Sequence, residues 1–199
     1  MLRLAYLLEQ QGYDYDKLFA PYLDQEPRRV WTYSTHVVNM AMAIKQGALV
    51  WRMHGGSPDE FAHRMLDNLF KYHGMAVGHF TGDECVMGDS PVQGSELCSV
   101  VEAMYSYEQL LSISGDPLWG DYLERLAFNA LPATISADMW THQYDQQTNQ
   151  VRCARLPEDH VIFGTNGPES HLFGLEPNFG CCTANFNQGW PKFALSAFM

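Results

Sequence analysis

The chain has 199 residues, 46% hydrophobic and 18% charged, which is long enough for one domain with a real core and excludes disorder as its expected state. Its formal net charge of -11 argues against a nucleic-acid backbone or an anionic membrane surface as partner. Five cysteines, an odd count without framework spacing, argue against a disulfide scaffold, and no apolar run reaches the roughly 18 residues of a membrane span.

Aromatic residues make up 13%. Most aromatics fill core volume, but a surplus in an acidic chain also suits stacking on a sugar. The start, Met1 to Tyr6 with Glu9 and Gln10 close behind, reads as an amphipathic helix rather than a signal peptide. Cysteines that read as reduced point to a cytoplasmic compartment.

In residues 2–10, Leu2, Leu4, Ala5, Leu7 and Leu8 form a broad apolar face ahead of Gly12, the pattern of a helix. Residues 14–23 predict a second short helix, closed by Pro27. The longest helical candidate runs from Ser34 to Met53, with Val37, Met40, Ala41, Ile44, Ala48 and Trp51 at three- and four-residue steps. Ser57-Pro58-Asp59-Glu60 predicts the next start, with Ser57 as N-cap, Pro58 at the first helical position and Glu60 completing a capping box. That helix stops near Gly74.

Residues 75–94 are glycine-rich and aperiodic, and loops of such length inside domains are usually functional or disordered. Helix resumes at Glu96 and ends at Gly115; Asp116-Pro117 caps another, which ends before Pro132. Residues 139–144 read as a short strand that turns near Asp145 and returns through Val151. Residues 155–180 read as irregular. A last helix opens at a double cysteine, with a kink expected at Pro191. The expected fold is all-α with one small β-hairpin excursion near residues 138–152.

Two segments carry chemistry. Gly180-Cys181-Cys182-Thr183 places adjacent cysteines at a helix start. A disulfide between neighbours is strained, so the pair reads as two buried thiols, two metal ligands, or a reactive thiol beside a ligand. Ser95-Glu96-Leu97-Cys98 adds a carboxylate and a third thiol. Three sulfurs and one oxygen suit tetrahedral zinc. Within a helix, positions two apart point away from each other, so Glu96 and Cys98 converge only at an extended start, which Gly94-Ser95 allows. The plainer alternative makes Cys98 a core thiol and Glu96 a charge favoured at a helix N-terminus.

A cysteine at a helix N-terminus, or on zinc, is held as thiolate and can attack carbon; as a purely structural ligand it is inert. Glu84, in Gly82-Asp83-Glu84-Cys85, is a proton donor if a pocket raises its pKa and a solvated loop residue otherwise. His36, His79 and His142 each flank apolar or aromatic residues, where a histidine is more often structural than a ligand. Cys85 and Cys153 read as free thiols.

Glu96-Leu97-Cys98 followed by Gly180-Cys181-Cys182 resembles glycoside hydrolase family 127, the β-L-arabinofuranosidases and their relatives. His36-Val37-Val38-Asn39 at a helix start, and Gly82-Asp83-Glu84 ahead of the Glu-x-Cys motif, extend the resemblance over essentially the whole chain. The resemblance implies a zinc ion held by Glu96, Cys98, Cys181 and Cys182. It implies Cys181 as nucleophile, Glu84 as acid and then base, and His36 as lining the sugar pocket; His142 is a further substrate-binding candidate. The implied chemistry is retaining double displacement, with a thiolate in place of the usual carboxylate.

The implied fold is part of an (α/α)6 barrel, a toroid of helical hairpins. Residues 1–199 would be one domain, the later half of that barrel. A half-ring leaves apolar helix faces uncovered, which predicts self-association. The expected function is zinc-dependent retaining hydrolysis of β-L-arabinofuranosides, with a small carbohydrate as substrate. Two alternatives stand beside it: a non-catalytic, zinc-stabilised helical module that binds carbohydrate, and a metal-free helical protein of unrelated use.

Overall fold

The structure, a computed structural model, describes residues 1–20, 23–24, 26–150, 152–157, 167–174 and 178–198. At its centre is α6 (Leu97–Ser114), in which Leu97, Val100, Val101, Ala103, Met104, Tyr107 and Leu110 are all buried. A helix apolar around so much of its circumference needs partners on several sides. It finds them in α3 (Val37–Ala43), α7 (Pro117–Arg125) and α9 (Gly180–Ser196). Gly189 lets α9 come close, since a Cβ there would lie 2.6 Å from Leu131 Cδ2. The other helices are α1 (Leu2–Gln11), α2 (Tyr15–Phe19), α4 (Gln46–His54), α5 (Glu60–His73) and α8 (Leu131–Ala133). The arrangement is all-α apart from four short strands among the described residues, and these residues close no ring. Among them, no helix is long and apolar enough to cross a membrane.

Several boundaries differ from the sequence pattern, each for a local reason. The long helix expected from Ser34 to Met53 is broken into α3 and α4 at Ile44-Lys45. In an unbroken helix the carbonyls of Ala41 and Met42 would accept from residues four positions on. Here Ser106 Oγ donates to the first at 2.7 Å and Lys45 Nζ to the second at 3.0 Å. The helix α5 begins at Glu60 rather than beside Ser57, with Asp59 as its N-cap residue. The Asp59 carboxylate accepts from Trp119 Nε1 at 3.1 Å instead of capping its own helix. The Asp116 cap is as expected: its side chain accepts from Leu118 N.

The helix after Asp116 does not stop before Pro132. It passes from α7 through a π-helical turn, Leu126–Ala130, into α8. A proline ring inside an α-helix clashes with the carbonyl four residues back, and a wider turn relieves that contact. Two carbonyls in the turn find side-chain donors: Trp190 Nε1 reaches Ala127 O at 2.9 Å and Gln146 Nε2 reaches Ala130 O at 2.7 Å.

Strands β1 (Gly74–Met75) and β2 (His79–Phe80) pair as a small antiparallel ladder. The hairpin expected near 138–152 is replaced by a long-range pairing. Strand β4 is Asp145–Gln147, and it pairs antiparallel with β3 (Gly94–Glu96), Glu96 lying opposite Asp145. Residues 136–141 are tied into a turn instead, with Trp140 N donating to Asp138 Oδ1 and Thr141 N to Ser136 Oγ. Val151, where the return strand was expected, lies outside the described residues, as do 158–166 and 175–177 of the irregular stretch.

His79 on β2 is fully buried, its Nε2 2.5 Å from Ser99 Oγ on α6. Burial pushes its pKa from 6.5 down to about 3. The folded imidazole stays neutral while the unfolded one protonates near 6.5, so between these values the unfolded chain binds more protons. The contribution is present above the unfolded value and is lost as pH falls toward the folded one. We expect His79→Gln to flatten the acid limb of stability between pH 6.5 and about 3, read as denaturation midpoint against pH.

Candidate metal centre and active site

Glu96 is both the last residue of β3 and the N-cap of α6, with extended backbone (φ -66, ψ 134). The chain is extended at Glu96 and helical from Leu97, so Glu96 and Cys98 need not diverge as two positions within one helix would. The ladder to β4 fixes this start, and it is tight: a Cβ on Gly94 would lie 2.1 Å from Asp145 Oδ2. The thiols of Cys181 and Cys182 come from the first turn of α9, which packs along α6.

One ligand atom from each of Glu96, Cys98, Cys181 and Cys182 lies within 4.8 Å of the other three. Cys98 Sγ is 3.4 Å from Cys182 Sγ, and Cys181 Sγ is 3.9 Å from Cys182 Sγ. Zinc–thiolate bonds of about 2.3 Å in a tetrahedron place sulfurs about 3.8 Å apart. The buried Glu96 Oε2 has no hydrogen-bond partner among the described residues. Three soft sulfurs and one orphaned carboxylate oxygen around a point fit a thiophilic divalent cation. The convergence expected from the sequence is present.

The three sulfurs are not equivalent. Cys98 and Cys182 are buried, while Cys181 is exposed. Hydrogen bonds from the Cys182 and Cys98 thiols hold Cys181 well below the ordinary thiol range, against the opposing effect of burial. The same bonds to Cys181 push the Cys98 and Cys182 thiols up. Glu96 is pushed well above the carboxylate range, first by burial and then by the Glu84 charge.

Glu84 stands beside this cluster. His36, Glu84 and Glu96 form a second group with one ligand atom each within 4.8 Å of one another, so Glu96 belongs to both. The Glu84 carboxylate is half-buried, 3.5 Å from His36 Nε2. Its backbone has φ +66, a left-handed conformation rare for glutamate. Two bonds hold it there: Val37 N donates to Glu84 O at 2.9 Å, and Glu84 N donates to Tyr144 Oη at 3.1 Å. Gly82 is required for the same loop, since a Cβ would lie 2.3 Å from Val37 Cγ2.

His142 is buried, its Nε2 2.8 Å from Thr183 Oγ1 in the first turn of α9. Cys85 is buried, its thiol donating to Thr35 Oγ1 at 3.8 Å, and Cys153 is exposed. Neither joins the cluster. Sequence reasoning missed Tyr144, whose hydroxyl accepts from Glu84 N and whose ring lies 4.2 Å from that of Phe179. Tyr144 precedes β4 directly, and only the β3–β4 register reveals where its hydroxyl goes.

Residues 71–195, more than half of the chain, match the family model of a glycoside hydrolase catalytic domain. That model is described as Beta-L-arabinofuranosidase, GH127 catalytic domain, and the chain belongs to this family. The matched stretch contains Glu84, Glu96, Cys98, His142, Cys181 and Cys182; His36 precedes it. No curated protein and no solved structure matches the chain. The protein is thus a glycoside hydrolase, with a carbohydrate as substrate and a fold of the (α/α)6 barrel type.

Proposed function

We propose that the protein is a zinc-dependent retaining glycosidase that cleaves β-L-arabinofuranosides, with Cys181 as nucleophile and Glu84 as acid and base. The family supports the substrate class. The observation that carries the mechanism is one exposed sulfur within a three-sulfur, one-carboxylate cluster, with Glu84 in reach of that same carboxylate. Glu96, Cys98, Cys181 and Cys182 would hold the metal. Zinc, when bound, would keep these sulfurs ionised and make Cys181 a better leaving group. Residues 1–199 would form the later half of the barrel.

In the first step the Cys181 sulfur attacks the anomeric carbon as the glycosidic carbon–oxygen bond breaks. Glu84 gives its proton to the departing oxygen. In the second step the Glu84 carboxylate takes a proton from water, the water oxygen bonds the anomeric carbon, and the carbon–sulfur bond breaks. Two inversions at one carbon retain its configuration. His36, against the Glu84 carboxylate, and His142, against Thr183, would hold sugar hydroxyls and orient the ring.

The metal is tested apart from turnover. We expect elemental analysis of protein purified without added metal to find about one zinc per chain. A chelator should lower the thermal midpoint and zinc should restore it, because the metal joins α9 to the start of α6. Metal-free protein whose melting ignores both reagents would remove zinc from the reading.

A further inference from the structure

Next to Glu84 lies a patch of aromatic rings that the chemistry above does not use. Trp31, Tyr33 and Tyr13 are all more than half exposed. They nevertheless form a connected run. The Trp31 ring is 5.5 Å from the His36 ring and 5.6 Å from the Tyr33 ring, and Tyr33 is 5.8 Å from Tyr13. Contiguous apolar surface left open in this way marks an interaction site.

The turn that presents these rings is held firmly. Thr35 Oγ1 donates to Val30 O at 2.8 Å, Thr32 N donates to Thr35 Oγ1 at 2.7 Å, and Asn39 Nδ2 donates to Tyr33 O at 3.2 Å. Two more bonds tie it to the loop that carries Glu84: Arg28 N to Val86 O at 2.8 Å and Val86 N to Thr35 O at 3.1 Å. The rings are therefore positioned relative to the Glu84 carboxylate, and a rigid platform loses little freedom when a ligand arrives.

We infer that Trp31 and Tyr33 form the floor of a leaving-group subsite, which holds the sugar ring on the departing side of the cleaved bond. The inference rests on Glu84 being the proton donor. A donor must face the departing oxygen, so the departing ring lies on the Glu84 side of the bond. From the Glu84 carboxylate the exposed ring run leads through His36 to Trp31 and Tyr33, whereas Tyr144, on the other contact of Glu84, is buried. The occupant is a sugar rather than a peptide or lipid because it is covalently the other half of the substrate. Its C–H-bearing face suits the electron-rich face of an indole or phenol ring.

The test compares kcat/KM for two substrates that both need a proton on the departing oxygen: a β-L-arabinofuranosyl disaccharide and methyl β-L-arabinofuranoside. Trp31→Ala should lower the disaccharide-to-methyl ratio about tenfold, and Tyr33→Ala should lower it less. Trp31→Phe should recover most of the ratio, since it restores an aromatic face. A ratio unchanged in Trp31→Ala overturns the subsite; if that variant fails to fold, an unchanged ratio in Tyr33→Ala does so. Wild-type protein that cleaves neither substrate overturns the proposed β-L-arabinofuranosidase reading itself, a result distinct from an unchanged ratio.

Discussion

Cys181→Ser is expected to reduce sugar release by about a thousandfold or more, the scale on which losing a covalent nucleophile is felt. A serine hydroxyl at this position has no thiolate to offer and a far higher pKa. The companion variant Cys182→Ser separates attack from ligation. Cys182 is buried, so its loss should appear mainly as weaker metal binding and a lower melting point. Cys181→Ser should keep more of its stability than of its rate. A mechanism-based β-L-arabinofuranosyl inactivator should add one sugar mass to the peptide carrying Cys181. A label on another residue, or a Cys181→Ser enzyme with normal turnover, would end the nucleophile assignment.

Glu84→Gln is expected to divide substrates by the acidity of their leaving groups. For a sugar or methyl leaving group, losing the proton donor should cost about a hundred- to ten-thousandfold in kcat/KM. For 4-nitrophenyl β-L-arabinofuranoside the loss in kcat/KM should be far smaller, because nitrophenolate departs without a proton. The second step still lacks its base, so that substrate should show a burst of nitrophenolate followed by slow turnover. A uniform loss on both substrates, with no burst, would make Glu84 a residue that shapes the pocket rather than one that moves protons.

The donor set was legible because the segments announce themselves locally. Gly94-Ser95 before Glu96 marks chain that is not yet helical, where neighbouring side chains can converge, and Gly180 opens the helix whose first turn carries both adjacent cysteines. The Asp116 cap was legible for a similar reason, since the aspartate serves its own helix. What the pattern hid was long-range. At the break between α3 and α4, the Ala41 carbonyl accepts from the Ser106 hydroxyl, 65 positions away on α6. The strand at Asp145–Gln147 has its partner at Gly94–Glu96, and no alternation within residues 138–152 encodes that choice. The part played by Tyr144 follows from the same pairing. Trp31 and Tyr33 are visible as aromatics in any reading, but only the contact to His36 connects them to the site.

Under the role proposed for Glu84, position 84 carries a conflict between folding and chemistry. With φ +66, its backbone occupies a region where any side chain bearing a Cβ is disfavoured by about 1 kcal/mol, and glycine is not. Selection for a durable fold alone would install glycine there, and the bonds from Val37 and to Tyr144 would accept it unchanged. A library screened only for heat resistance should therefore enrich Glu84→Gly. Its most robust members would then be the ones that had given up catalysis.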